Sequence, residues 1–185
     1  MKLSNNKYVS IILALVLISS ILSGKIFLSK HKNNEALMGV YMNLPSHIDT
    51  SFASNFMDSS YLVKVLKNNY SKTIKGKVIS VSAYIKKQNI IIVNIGEYDI
   101  NKTINSLEHK YDFLDKEILE RQINILLTNI DFILSRIKEI NHNCSIKLCE
   151  ITNTKLTETP FINDIYNEIN DNYHKLAIRY NASII

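Results

Sequence analysis

Tryptophan is absent from this chain of 185 residues, and cysteine, proline and glycine are scarce, at 2, 2 and 4. Two cysteines are too few for the disulfide framework that small secreted domains use. They are Cys144 and Cys149, separated by Ser145-Ile146-Lys147-Leu148. On a strand, residues at that spacing lie roughly 16 Å apart and face opposite sides, so they cannot bond to each other without breaking the strand. The spacing matches no metal-ligand pattern either. The reading is therefore two buried free thiols, no metal and no cofactor. Four glycines leave no Gly-rich phosphate loop. Arginine forms no cluster, and basic and aromatic residues do not interleave, so a net charge of +5 does not point to nucleic acid. Abundant Ile, Asn and Lys with no Trp is the bias of an AT-rich coding sequence, and lysine counts alone carry no functional weight.

What is present is a globular composition, 46% hydrophobic and 21% charged, behind an apolar leader. Tyr8 to Gly24 is uncharged and dominated by Ile, Leu and Val, with Lys2 and Lys7 before it and Lys25, Lys30 and Lys32 after it. This is a signal peptide or a signal anchor. Ser23 and Gly24 could form a cleavage site, but Ile21 and Leu22 break the small-x-small pattern, and Ile26-Phe27-Leu28 prolongs the apolar run. The anchor is favoured. No cysteine follows that a lipoprotein anchor would need, and no second spanning segment follows, so the domain is expected outside the membrane. Residues 1–29 are read as the anchor or signal peptide, 30–35 as a polar linker, and 36–185 as one domain.

The domain is organised around Asn89-Ile90-Ile91-Ile92-Val93-Asn94-Ile95-Gly96-Glu97-Tyr98-Asp99. A short β-branched run closed by glycine reads as a strand buried on both faces. Helices must cover those faces, which gives an α/β fold with a mostly parallel sheet. In open α/β sheets the ligand site lies beyond the strands' carboxyl ends, here at Gly96, Glu97, Tyr98 and Asp99. The simpler reading is a strand-to-helix turn, with Gly96 supplying backbone freedom and Asp99 capping the next helix.

Before that strand, Ala36 to Met42 reads as a first strand, broken by Asn43-Leu44-Pro45-Ser46-His47. Ser51 to Asn55 reads as loop. Asp58 or Ser59 caps a short helix through Leu66. Asn68 to Gly76 is turn-rich, and Val78 to Ile85 reads as a helix leading into the central strand, because a parallel strand is entered after a crossover. After Asp99, Ile104, Leu107, Tyr111, Leu114 and Ile118, and then Ile123 through Ile140, form a helical stripe. It is one long helix or two joined near Asp112 to Asp115. Ser145 to Ile151 is the next strand and Thr152 to Thr159 a polar loop. Thr159 as N-cap with Pro160 at N1 starts a last helix, in which His174 faces solvent. Ala182 to Ile185 begins a final strand.

From Lys77 to Ile185 the sequence resembles the SGNH (GDSL-type) hydrolases, three-layer α/β/α esterases and acylhydrolases. The strand ending Ile-Gly-Glu-Tyr-Asp is similar to that family's third block, an apolar strand closing in Gly-x-Asn-Asp. The long helix, the strand Ser-Ile-Lys-Leu-Cys-Glu-Ile, the polar loop and the helix running into Tyr-Asn-Ala-Ser-Ile-Ile follow in the family's order. The resemblance implies a serine nucleophile, a glycine amide and an asparagine as oxyanion donors, and a histidine base in an Asp-x-x-His block after the final strand. Gly96 and Asp99 match, but Tyr98 stands where the family has asparagine. There is no Gly-Asp-Ser-Leu; Ser46 is the only candidate nucleophile. Asn55 stands at the second block in place of glycine. The block after the final strand is not present within these residues, so the sheet is expected to be incomplete at its C-terminus.

Two functions follow as expectations. One is an exported, membrane-tethered SGNH-type hydrolase acting on an acyl ester, inactive or truncated as written. The alternative is a non-catalytic cell-envelope binding module. A flavodoxin-like or receiver-like domain is disfavoured by the export segment and by the lack of a phosphate loop or an early acidic pair.

Overall fold

Strand β5 (Ile90–Asn94) forms where five consecutive residues, four of them β-branched, favour a pleated backbone with apolar groups on both sides. Ile91 and Val93 are buried on one side and Ile92 on the other. In a computed structural model, which describes residues 35–40, 49–54, 57–108, 116–152 and 160–185, this strand is the middle one of a five-stranded sheet ordered β2-β1-β5-β6-β7. The other members are β1 (Glu35–Val40), β2 (Asp49–Ser54), β6 (Ser145–Leu148) and β7 (Ala182–Ile184). Every pairing in the sheet is parallel. Counting only these strands, the order is 2-1-3-4-5, with the reversal between β1 and β5. The anchor segment 1–29, Ser46 and Asn55 all lie outside the described residues.

Five helices are described: α1 (Ser59–Lys67), α2 (Val81–Ile85), α3 (Glu97–Glu108), α4 (Lys116–Ile140) and α5 (Pro160–Tyr180). The connections from β2 to β5, β5 to β6 and β6 to β7 all step the same way across the sheet. Right-handed crossovers stepping one way lie on one face. The buried side chains of all five helices accordingly join a single cluster with Ala36, Met38, Ile91, Val93, Ile146 and Leu148. On the other face Leu37, Ala53, Ile92 and Cys149 form a separate cluster that contains no residue of a described helix. The helical layer expected on both faces is thus described on one. Residues 41–48, between β1 and β2 in the chain, lie outside the described residues.

Three segments differ from the expectations. Val78 to Ile85 is not all helix: Lys77–Ser80 is strand β4, paired antiparallel with β3 (Ser71–Ile74). The helix starts at Val81, where the Ser80 hydroxyl accepts from the Ala83 amide at 3.2 Å. Polar Ser71 to Ile74, read as turn, is a strand because the turn at Lys75 and Gly76, both with positive φ, folds it onto β4. Ser51 to Asn55, read as loop, falls mostly in β2. Its polar composition suits an edge strand, whose outer groups side chains can occupy. Lys72 Nζ donates to Ser51 O at 2.8 Å, the Ser51 amide donates to Asp49 Oδ1 at 2.8 Å, and Tyr84 Oη donates to Asp49 O at 3.1 Å.

The helical stripe after Asp99 forms the two helices α3 and α4, and residues 109–115 between them are outside the described set. Along α4, Leu119, Ile123, Leu126, Ile130, Ile133, Leu134 and Ile137 are buried, which from Ile123 on is the i, i+3, i+4 stripe read from the sequence; Ile118, read as part of it, is 43% exposed, and its neighbour Leu119 takes the inner position. In α5, Ile165, Tyr166, Ile169, Tyr173, Leu176 and Ala177 form the buried face, while Phe161 is 37% exposed. Cys144 and Cys149 are both buried free thiols. They fall in the two different clusters, on opposite faces of the sheet.

Candidate functional site

The strand order reverses between β1 and β5, and the carboxyl ends of the strands at such a reversal are the place where open α/β sheets bind ligands. Beyond β5 come Ile95 and Gly96, and α3 begins at Glu97. Gly96 has φ +117, a region that L side chains rarely adopt, and a Cβ there would collide with the Tyr173 hydroxyl and lie 3.2 Å from Leu126 Cδ2 and 3.3 Å from Ile151 Cγ2. Glycine is needed both for the turn and for the close approach of three neighbours. Tyr173 is fully buried and donates its hydroxyl to Ile95 O at 2.9 Å. Burial raises its pKa well above the ordinary value, with Asp99 adding to the shift, so it stays a neutral donor.

Asp99, in the first turn of α3, is 4% exposed. Its carboxylate accepts from the Ser59 amide at 3.1 and 3.0 Å and from the Ser59 hydroxyl at 2.7 Å. The same hydroxyl accepts from Asn129 Nδ2 at 2.9 Å. Asp99 thus supplies an acceptor to the first amide of α1, a cap delivered from another helix. Asp58 caps the same terminus, accepting from the Tyr61 amide at 2.7 Å. Burial raises the Asp99 pKa above its ordinary value, the Ser59 hydrogen bonds oppose the rise, and the charge of Asp58 adds to it. The Asp99 carboxylate meets its own amide at the start of α3, but most of its hydrogen bonds go to Ser59 of α1, beyond the cap of its own helix that the simpler sequence reading gave it; the Gly96 carbonyl accepts from the Ile100 amide at 3.1 Å.

Glu97 and Tyr98 are half-buried. Asn101 Nδ2 donates to Glu97 Oε1 at 3.5 Å, and Tyr166 Oη donates to Asn101 Oδ1 at 2.9 Å. Burial, and after it the charge of Glu97, push the Tyr166 hydroxyl up to about 12. The turn is therefore tied to α1 and α4 through Asp99 and to α5 through Glu97 and Tyr173.

Compared with protein-family models and with curated proteins, the chain matches none.

Of the sequence-derived site residues, Gly96, Glu97, Tyr98 and Asp99 lie together beyond the carboxyl end of β5, beside the reversal of strand order. Ser46 and Asn55, outside the described residues, are not placed. Ser59 and Asn129 belong to the Asp99 network and were missed; the contact joins positions 40 apart, and no local motif marks it. Ser59 is fully buried, with its hydroxyl donating to a carboxylate and accepting from an amide. That is a brace, and a nucleophile would need an imidazole in its place. The described histidines are elsewhere. His142 is exposed in the turn before β6. His174 is exposed, as expected, and lies 2.7 Å from Glu150 Oε1. His174 also closes an Asp171-x-x-His174 pattern, which lies inside α5 and before the final strand, not after it. Its neighbour Tyr173 donates to Ile95 O, and successive helical residues are turned about 100° apart, so His174 is directed away from the turn after β5. Among the described residues no cluster of His, Cys, Asp or Glu could hold a metal ion. No described helix is long and apolar enough to cross a membrane.

Proposed function

We propose that this chain is an SGNH-hydrolase-type domain, held outside a membrane by its apolar leader, that does not turn over esters. Its architecture would then be a three-layer α/β/α sandwich. The observation that carries the reading is the parallel order 2-1-3-4-5 with Gly96-Glu97-Tyr98-Asp99 at its reversal, while Asp99 is fully engaged by Ser59. The position where the family has an oxyanion asparagine is Tyr98, and oxyanion donors are worth about 2.7–4 kcal/mol only when correctly aimed. Neither described histidine, His142 or His174, lies at the Gly96–Asp99 turn, and a serine without a positioned base lacks the proton acceptor that attack requires.

The test is hydrolysis of a short p-nitrophenyl ester by the full chain beside Ser46→Ala. Turnover at background in both proteins is expected. Turnover well above background that vanishes in Ser46→Ala would overturn the reading and make Ser46 the nucleophile. The alternative, a cell-envelope binding module, is supported by the same turn. Gly96, Asp99 and Glu97 tie it into the body of the fold, which suits a scaffold more than a site of chemistry.

A further inference from the structure

Charge is segregated along this chain. Residues 59–96 contain seven lysines, no arginine and no acidic residue, whereas residues 97–185 carry ten basic and fourteen acidic side chains. The basic stretch comprises α1, the β3–β4 hairpin, α2 and β5. All seven lysines are exposed. Three of them, Lys72, Lys75 and Lys77, are on the hairpin, and Lys64 is on α1.

The hairpin is built into the β2 side of the sheet. Its entry is fixed by the Tyr70 amide donating to Val65 O at 3.1 Å, and its exit by the Val81 amide donating to Tyr70 O at 2.8 Å. Lys72 holds it to Ser51 O in β2. Ile74 and Ile79 pack against the core. Val78, next to Ile79 on β4 and so on the other side of the hairpin, is 76% exposed. Tyr61 and Tyr70, 49% and 37% exposed, border a groove of about 380 Å³ floored by Phe52 and Met57.

We propose that this face, made of α1, the hairpin and the end of α2, docks on an anionic lipid bilayer. Lysines supply point-charge attraction to headgroup phosphates, about fivefold in affinity for each one near the surface. Tyr61 and Tyr70 have the apolar body and polar tip that suit the headgroup level, and Val78 is an apolar contact for the acyl boundary. The absence of arginine in the stretch removes the bidentate forks that read nucleic acid. The proposal does not depend on the hydrolase reading.

The test is flotation of residues 34–185, the compact unit that excludes the apolar leader, with phosphatidylglycerol or phosphatidylcholine vesicles at 0.1 M salt, its fold checked by circular dichroism. It is compared with Lys64→Gln/Lys75→Gln/Lys77→Gln/Lys86→Gln and with the smaller Lys75→Glu/Lys77→Glu, both checked by circular dichroism. The apolar leader, which would hold every variant on the vesicles, is left out of all three proteins, so differences report on residues 59–96. Expected is a loss of about tenfold or more on phosphatidylglycerol for the four-site variant. Binding to phosphatidylcholine should be unchanged, and the proteins should converge at high salt. Variants that bind phosphatidylglycerol as tightly as the wild type would overturn the proposal. So would displacement of the wild type from the vesicles by an equimolar duplex oligonucleotide, which would identify a nucleic-acid surface instead.

Discussion

Ser59 binds Asp99 twice across 40 positions of chain, through its backbone amide at 3.0 Å and its hydroxyl at 2.7 Å. One carboxylate thereby ties the start of α1 to the turn that follows the central strand. Asn129 of α4 joins from the side through Ser59 Oγ. Three helices depend on a single buried polar group.

Ser59→Ala removes the hydroxyl and leaves the amide. A hydrogen bond to a charged, buried acceptor contributes about 1.5–3 kcal/mol. The melting temperature should fall by several degrees, at about 2–4 °C per kcal/mol for a domain of this size. Ser60→Ala, at an exposed neighbour that also contacts Asn129 at 3.1 Å, should cost far less. Equal losses in a thermal melt would show that the brace is not where the stability resides.

The Asp99 pKa lies above its ordinary 3.8 because of burial, against the opposing Ser59 hydrogen bonds. The folded state therefore holds that proton more tightly than the unfolded chain. Its contribution to stability is fully present below the unfolded value and is lost as pH rises through the folded one. The unfolding free energy of the wild type minus that of Asp99→Asn should fall as pH rises through that window. A difference that grows with pH would mean that the Ser59 hydrogen bonds outweigh desolvation.

Gly96→Ala and Gly76→Ala separate backbone strain from collision. Both glycines have positive φ, but nothing lies within 4 Å of a Cβ at Gly76. Gly76→Ala should cost about 1 kcal/mol. Gly96→Ala adds the collision with Tyr173 and should cost about 3 kcal/mol or more. Adding Tyr173→Phe should recover part of that loss, measured as a coupling energy in a double-mutant cycle. No coupling would place the cost in the backbone alone.

Legibility in the sequence followed the range of the forces involved. β5, the stripe of α4, the start of α5 at Pro160 and the burial of both cysteines were readable because each depends on neighbours a few residues away. β2 and β3 were not. Asp49–Ser54 has little intrinsic strand character and is extended because β1 pairs with it. Ser71–Ile74 is extended because β4 folds back on it. At the candidate site the sequence pointed to Gly96 through Asp99 by strand and glycine alone, but it assigned the Asp99 side chain to its own helix.

By itself, then, the sequence determined the class of the fold, the central strand, the turn beyond it and the separation of charge between residues 59–96 and 97–185. These follow from side-chain type and local period. Tertiary structure alone decided which way the sheet steps from β1, which face the helices share and what Asp99 holds. Strand order and the partners of a buried carboxylate depend on residues tens of positions apart, which meet only when the chain has closed around its core.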